Sequence, residues 1–272
     1  MRYTDRVNLE FELALRFLRR RSGLLLRGTA LAALAGVALA VTALVITLAL
    51  MTGYSRAIAA ALQRGNAHVV GFALGPLGTA EATEIAGRMA GVEGVLRATP
   101  VTYLTGLLDD PSEPASPLTV TLKAVARPPS YTGLASWPSA EALPAVVGER
   151  LAKQVGLRAG DRATVRLPPA DASWILPALP LEVVGTFRLA FAEFDERWIT
   201  VPLEELLRML PGTGVAGVEV ELADPLAVEA ARERLAAAEP RLVFTDWREM
   251  NRALFAALRW QTLSLFVVLS LV

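Results

Sequence analysis

The longest apolar stretch of the chain runs from Gly28 to Met51, 24 consecutive positions without a charged residue. At about 1.5 Å per residue, a helix of this length extends roughly 36 Å, more than the roughly 30 Å hydrocarbon core of a bilayer. A cleaved signal peptide would have a shorter apolar segment, of about 7–15 residues, nearer to the terminus. The pattern therefore predicts a membrane-spanning helix over residues 28–53.

Arginines flank this predicted helix unequally. Seven lie in residues 1–27, whereas residues 51–70 contain only Arg56 and Arg64. Because the cytoplasmic side of a membrane helix carries the excess of positive charge, the N-terminus is predicted to be cytoplasmic and the region after the helix to lie across the membrane. Within the first 27 residues, positions 8–21 have the periodicity of an amphipathic interfacial helix.

A second apolar run begins at Leu263 and continues to Val272. Ten residues are too few to cross a bilayer. We interpret residues 251–272 as the entry to a second transmembrane helix and its truncated start, in a fragment of a longer protein. A short docked helix is the alternative.

Between the two apolar runs, the pattern contains two strand–helix–strand units. The predicted segments are, in chain order, strand 67–72, helix 79–90, strand 95–104, strand 217–222, helix 224–238 and strand 241–247. Thr79 and Asp224 are candidate caps of the two helices. Two such units can close into one ferredoxin-like α+β sandwich, here split between residues 54–104 and 215–250.

The segment between these units, residues 105–214, is predicted to be an inserted, mainly β domain. Its predicted elements are strands 119–125, 163–167, 181–187 and 198–202, a helix from 148 that ends at Gly156, and a short helix after 202. Residues 168–180 join two of these strands and contain four prolines around a Trp174-Ile175-Leu176 cluster. A loop of this length in a compact domain is usually functional or disordered.

Composition narrows the possible chemistry. The sequence has 27 basic and 27 acidic residues, so no net charge favours nucleic acid, and it has no cysteine. Neither lysine, Lys123 or Lys153, ends a phosphate-binding loop, and the single histidine, His68, has no second histidine or cysteine for a metal site. We therefore expect no catalytic residue, no cofactor and no metal, a structural role for His68, and a solvated Asp109-Asp110 pair.

Five segments, in this order and at these distances, resemble one family. They are FELALRFLRRR, GVALAVTALVITLALMTGY, VVGERLAKQVGLRAGD, LEVVGTF…FAEFDERWITVPLEE and FTDWREMNRALFAAL. They are similar to the transmembrane subunits of lipoprotein-releasing ABC transporters, the LolC/LolE permeases, within the wider MacB/FtsX-like group. Ala40, Thr52 and Phe194 depart mildly from residues common in the family, and the family has four spans where this chain has one and the start of another.

The resemblance implies a non-catalytic permease subunit in the bacterial inner membrane, with its main domain in the periplasm. A separate cytoplasmic ATPase would hydrolyse ATP. Two permease subunits, the same or related, would convert that motion into the extraction of a lipoprotein and its transfer to a periplasmic carrier. The Asp195-Glu196 pair would lie in a family-linked turn that contacts a partner subunit.

Three groups of candidate site residues follow. Small residues recur every four positions on the first span and would let another helix pack closely; these are Gly28, Ala32, Gly36 and Ala40. Larger residues on the opposing face would line an acyl-chain cavity or face membrane lipids; these are Val41, Leu44, Val45 and Leu48. In the loop 168–180, the resemblance implies a hairpin that hooks the carrier, with contact residues Arg166, Trp174, Ile175, Leu176 and Pro177.

Two other functions remain open at this point. A MacB-type efflux permease would share the topology and both extracytoplasmic domains, although the Asp246-Trp247 segment resembles the lipoprotein-releasing permeases more. The second is a single-span membrane sensor or adaptor, which would apply if the 272 residues were taken literally as a protein with one membrane helix.

Overall fold

The computed structural model describes residues 24–65, 67–109, 116–168, 177–189, 192–224 and 227–271. The chain divides into two compact units. One contains the residues up to Ser55 together with those from Ala256, and the other is Arg56–Phe255. The amphipathic helix predicted at 8–21 lies outside the described residues.

The helices and strands of the described residues are as follows. The helices are α1 Leu24–Gly65, α2 Thr79–Ala90, α3 Glu149–Val155, α4 Ala192–Arg197, α5 Leu203–Met209, α6 Val228–Ala238, α7 Trp247–Met250 and α8 Arg252–Leu271, and Ser130–Thr132 form a 3-10 turn. The strands are β1 Val69–Leu77, β2 Val95–Leu108, β3 Leu118–Val125, β4 Leu143–Gly148, β5 Arg162–Arg166, β6 Ala178–Phe187, β7 Trp198–Pro202, β8 Val215–Leu222 and β9 Leu242–Asp246.

The helix α1 confirms the predicted apolar N-terminal helix and extends beyond its predicted end at residue 53. Its segment Leu31–Ile58, with a mean hydropathy of 2.5, is long and apolar enough to cross a membrane. Hydroxyls inside it are satisfied by the helix itself, since Thr42 donates to the carbonyl of Ala38 at 2.7 Å and Thr52 donates to that of Leu48 at 2.8 Å. A polar group in hydrocarbon needs such an internal partner.

One part of the second unit is an antiparallel sheet in the order β2-β8-β1-β9. Helix α2 packs on β2 and β8, and α6 packs on β9. The helix face of the sheet is apolar, and Gly71 leaves room there, since a Cβ at this position would collide with the ring of Phe244 on the neighbouring strand.

The other part is a closed, six-stranded ring. Its strands follow the order β3-β7-β4-β6-β5-β2, and the additional pairing of β2 with β3 closes it. The pairs β3–β7 and β4–β6 are parallel, whereas the remaining pairs are antiparallel. The buried core of the ring is aliphatic, with Leu122, Val147, Leu181 and Ile199 among its members.

The long strand β2 joins the two parts. Residues Val95–Val101 pair with β8, and residues Val101–Leu108 pair with β3. The predicted boundary after residue 104 therefore lies inside a strand, and both parts belong to one compact unit. The division of this region into two domains stays a prediction.

Several local predictions differ from the structure, and β1 and β2 extend to Leu77 and Leu108, beyond their predicted ends at 72 and 104. Strand β4 was not expected, because it is buried at all six positions and so lacks the alternation that reveals a half-buried strand. Helix α6 begins at Val228 with Ala227 at its cap position, so Asp224 is not the cap, and Thr79 is the first residue of α2 after the cap Gly78. Strand β6 begins at Ala178, three residues earlier than predicted.

Candidate functional site

The predicted carrier-contact loop connects two paired strands. Strands β5 and β6 pair antiparallel from Arg162 opposite Glu182 to Arg166 opposite Ala178, and the N–H of Leu167 donates to the carbonyl of Pro177 at 3.0 Å. Because β4 pairs with β6 only from Leu181 onward, Pro180 lies where β6 has a strand on one edge alone, a position that tolerates proline. The loop is therefore the end of a β-hairpin.

Arg166 lies at the base of this hairpin and is engaged within the chain. Its Nε donates to Asp109 Oδ1 at 2.9 Å, and its terminal nitrogen Nη2 donates to Asp109 Oδ2 at 3.0 Å. The Asp109 carboxylate raises the pKa of Arg166 through these hydrogen bonds and its charge. The Asp109 side chain is 37% exposed, as expected of a solvated group, and this bidentate pair also ties the end of β2 to the hairpin. Asp110 lies outside the described residues.

The tip of the hairpin is not described in the structure. Trp174, Ile175 and Leu176 lie outside the described residues, and Pro177 is the first residue after them. The carrier-contact role of these four residues and of Arg166 stays a prediction.

The small-residue stripe of α1 is open to its surroundings. Gly28, Ala32 and Gly36 are exposed, Ala40 is half-buried, and a Cβ added to either glycine would meet no atom within 4 Å. The acyl-cavity candidates were expected opposite this stripe, which is wrong for Leu44 and Leu48, because they continue its four-residue spacing along α1. Val41 and Val45 are exposed, and Leu44 and Leu48 are half-buried. The roles of both groups stay predictions.

The short helix α4, just before β7, holds Asp195 in the interior of its own unit, whereas the resemblance implied a turn here. Its Oδ1 accepts the N–H of Leu189 at 2.6 Å, and burial raises the pKa of the carboxyl. Gly148 makes this packing possible, since a Cβ at Gly148 would collide with the backbone carbonyl of Asp195. The acidic side chain thus closes a loop inside the chain.

His68 begins the sheet and is held by the backbone of β8. Its N–H donates to the carbonyl of Val220 at 3.0 Å, and its Nδ1 accepts the N–H of Leu222 at 2.8 Å. Burial lowers the pKa of His68, and the nearby charge of Glu221 raises it by less. The structural role expected for His68 agrees with these contacts.

The segment after β9 forms a corner that leads into α8. Asp246 caps α7, since its Oδ1 accepts the N–H of Glu249 at 2.7 Å, and the Nδ2 of Asn251 donates to the carbonyl of Trp247 at 2.8 Å. The buried ring of Trp247 lies edge-on to Phe255, with the ring centroids 5.6 Å apart. These contacts give a structural reason for the residue types in this segment.

Sequence reasoning missed a buried polar cluster where β2 leaves the sheet and enters the ring. Lys123 on β3 is 2% exposed, and its Nζ lies 2.8 Å from Glu219 Oε1 on β8. The hydroxyl of Tyr103 donates to the same oxygen. The lysine ammonium lies 5.5 Å from the ring centroid of Trp198 and 6.0 Å from that of Tyr131.

The electrostatics of this cluster favour the ion pair. Burial by itself lowers the pKa of Lys123, but the charge and hydrogen bond of Glu219, together with Tyr131 and Glu221, outweigh it and leave the pKa above its ordinary value. Tyr131 is held in place by a 3.1 Å hydrogen bond between its hydroxyl and that of Thr200. The signal in the sequence was a lysine in the middle of an apolar strand in a chain with only two lysines.

Comparison with known proteins gives a consistent result. The family model of the MacB-like periplasmic core domain matches residues 29–238. The lipoprotein-releasing system transmembrane proteins LolC of two Xylella fastidiosa strains, 9a5c and Temecula1, are each 25% identical over 287 aligned positions that cover 97% of this chain. The chain spans 66% of the length of these relatives.

Two solved structures align with part of this chain. The extracellular domain of the noncanonic ABC-type transporter YknZ from Gram-positive bacteria aligns with a TM-score of 0.40 and 10% identity, covering 62% of this chain and 91% of that one. The periplasmic region of MacB from Actinobacillus actinomycetemcomitans aligns with a TM-score of 0.42 and 13% identity, covering 69% and 92%.

Proposed function

Because the chain belongs to the family of the MacB-like periplasmic core domain, as its resemblance to that group of permeases predicted, we propose that it is part of an ABC transporter permease that releases lipoproteins from the inner membrane. The observation that carries the proposal is the similarity to two LolC proteins along 97% of the chain, which includes the β5–β6 hairpin region. The permease itself performs no catalysis, and a separate cytoplasmic ATPase subunit hydrolyses ATP.

The proposed membrane arrangement follows the arginine distribution. Residues up to 27 lie at the cytoplasmic face, α1 crosses the inner membrane, and the unit Arg56–Phe255 lies in the periplasm. Helix α8 leads into the second span, with its apolar run from Leu263 inside the bilayer. At roughly 63 Å, the 42 residues of α1 exceed the hydrocarbon core about twofold, which leaves a helical segment outside the membrane that could transmit movement.

In the periplasmic unit, the order β9-β1-β8-β2 supports the ferredoxin-like assignment. Two β-α-β units related in this way give an antiparallel sheet in which the first strand of each unit is central and the last strand of each is outer. The other five strands of the ring, β3 to β7, are then inserted between β2 and β8, and β5 and β6 present the hairpin.

The direct test is release of a lipoprotein by the assembled transporter. The tagged protein would be purified from its native membrane with its ATPase and partner permease and reconstituted in proteoliposomes with a triacylated, fluorescent lipoprotein. With ATP and the periplasmic carrier, we expect lipoprotein to appear in the soluble fraction, and with a non-hydrolysable ATP analogue we expect none.

A specific alternative is a MacB-type efflux permease, which the same family match favours equally. In that case the reconstituted complex would release no lipoprotein, and ATP hydrolysis would be stimulated by an outer-membrane channel and its adaptor. A chain that purifies without any ATPase would instead favour a membrane sensor or adaptor and contradict both transporter functions.

For the hairpin, we propose that Trp174, Ile175 and Leu176 insert into an apolar site on the carrier, with Arg166 and Pro177 at the base. A buried aromatic anchor is a common source of binding energy, and prolines reduce the entropy lost on binding. Trp174→Ala combined with Ile175→Ala should weaken carrier binding about tenfold or more in a titration at unchanged melting temperature. Unchanged binding with a lowered melting temperature would show that the cluster packs on its own unit.

For α1, we propose that the stripe of Gly28, Ala32, Gly36 and Ala40 contacts a helix of the second permease, and that Val41, Leu44, Val45 and Leu48 face membrane lipids or the acyl chains of the lipoprotein. Gly36→Leu should preserve membrane insertion and weaken co-purification with the partner permease, since bulk separates the helices. Val37→Leu, one position around the helix, is the matched control. Equal recovery of the partner from both variants would contradict the stripe.

A further inference from the structure

The buried cluster around Lys123 lies at a fork in the strand pattern. Val101 pairs with Gly217 of β8 on one edge of β2 and with Val125 of β3 on the other. Strand β2 therefore changes its main partner at this residue, from the four-stranded sheet to the ring. A strand that leaves one sheet for another can bend at such a point unless side chains fix the angle.

Side chains cross β2 at this fork. Lys123 lies opposite Tyr103 in the β3–β2 register, and Glu219 lies opposite Thr99 in the β8–β2 register. Strands β3 and β8, on either side of β2, are separated by about 9.5 Å, twice the spacing of neighbouring strands. Lys123 and Glu219 span this gap and meet at 2.8 Å.

The rest of the cluster belongs mainly to the ring side. Trp198 begins β7, and Tyr131 hydrogen-bonds to Thr200 on the same strand. Their rings surround the ammonium of Lys123, and Tyr103 of β2 shares its acceptor. Glu219 contributes the carboxylate from the four-stranded sheet, so the ion pair connects the two parts of the unit directly.

From this geometry we infer that Lys123 and Glu219 are positioning residues, which fix the angle between the four-stranded sheet and the six-stranded ring. A buried ion pair is a poor source of net stability, because apolar residues of similar volume often replace both partners without loss. Its directional contacts, however, select one arrangement of the groups that they join. The ring carries the β5–β6 hairpin, so the pair also sets the direction of the hairpin. The consequence for a carrier rests on the proposed function, whereas the angle itself does not.

The test separates positioning from stability. The sequence has no cysteine, so spin labels can be placed on introduced cysteines in the full chain. Labels at the exposed positions Gln154 on α3 and Ala237 on α6 report the distance between ring and sheet. Labels at Ala80 on α2 and Ala237 form the control pair, since both lie on the helices of the sheet.

The variant combines Lys123→Met with Glu219→Gln, which removes both charges, keeps the volume nearly unchanged and leaves an amide oxygen to accept from the Tyr103 hydroxyl. We expect its melting temperature to stay within a few degrees of the parent protein, about the scatter of well-tolerated replacements. The Gln154–Ala237 distance distribution, measured by pulsed electron spin resonance, should broaden about twofold, while the Ala80–Ala237 distribution keeps its width.

A Gln154–Ala237 distribution of unchanged width would overturn the inference, because strand continuity and aromatic packing would then suffice. Broadening of both label pairs would also overturn it, since the whole unit would have loosened. If the double variant does not unfold cooperatively, the same two distances are measured in Glu219→Gln, which removes only the carboxylate charge. A Gln154–Ala237 distribution in Glu219→Gln as narrow as that of the parent protein would likewise overturn the inference.

Discussion

Two ion pairs beside β2 contrast in their surroundings. Arg166–Asp109, at the base of the hairpin, has side chains 49% and 37% exposed, whereas Lys123–Glu219, at the fork, has side chains 2% and 12% exposed. Water screens the first pair and competes for its hydrogen bonds, so its partners can separate at little cost. At the second pair, each charge depends on the other, because Lys123 is buried and Glu219 is largely shielded from water. The contrast shows that two charge pairs beside the same strand can serve different purposes.

The largest effect is expected when one partner of the buried pair is removed. Glu219→Ala leaves the ammonium of Lys123 buried without its carboxylate, and such a loss typically costs about 3–5 kcal/mol of the free energy of unfolding. Chemical denaturation of the full chain in detergent measures it, with Asp109→Ala as the matched control at the exposed pair. A loss below about 1 kcal/mol would mean that water reaches Lys123 and would remove the contrast.

A smaller, pH-dependent effect on the free energy of unfolding is expected at His68, which is half-buried. Because the folded state lowers the pKa of His68 below its ordinary 6.5, the unfolded chain binds the proton more readily. The free energy of unfolding should be highest above pH 6.5 and fall as the pH drops from there to the lowered folded pKa. Protonation would also remove the acceptor for the N–H of Leu222.

Thermal unfolding between pH 7.5 and pH 5 checks this expectation, and His68→Gln is the comparison, since it has no titrating side chain in this range. His68 is the only histidine of the sequence, so the difference between the two proteins isolates its contribution. Parallel pH profiles for the two proteins would show that the folded and unfolded states bind the proton equally.

The smallest effect is expected at the hairpin base. Arg166→Ala should shift the denaturation midpoint by no more than the experimental error, because an exposed pair gains little over its hydration. A double-mutant cycle with Asp109→Ala measures the coupling of the two side chains. A coupling of about 3 kcal/mol or more, the range expected for a buried pair, would show that the hairpin base is shielded from water in the folded chain.

The local pattern of apolar and polar residues was sufficient to predict most helices and strands of the unit Arg56–Phe255. Strands β3 and β7 were expected within one residue of their bounds, because they alternate or carry β-branched residues between clear breaks. Gly156 ends α3 as expected, since its φ of 73° is left-handed, a conformation that glycine adopts without strain. Strand β4 was not predicted, because a strand buried on both faces shows no alternation of apolar and polar residues.

The candidate site was predicted less completely. The position of the hairpin followed from the motif order, but the partner of Arg166 did not, since Asp109 lies 57 residues away along the chain. Similarly, the alternation of residues 119–125 predicted a strand with Lys123 on it, yet no local signal indicated which carboxylate it would meet. Such pairings depend on which strands become neighbours and in which register.

The sequence by itself determined the apolar helix α1, the two strand–helix–strand units and the family of the chain. Each of these can be recognised from short stretches of sequence. They depend on the transfer of apolar side chains out of water, on the backbone periods of helix and strand, and on the spacing of motifs. Only the tertiary structure decided that β2 serves both the sheet and the ring, that β3 closes the ring, and that Lys123 meets Glu219 across β2. These features arise from hydrogen bonds between strands far apart in the chain, whose choice of partner and register is settled by the packing of the whole unit.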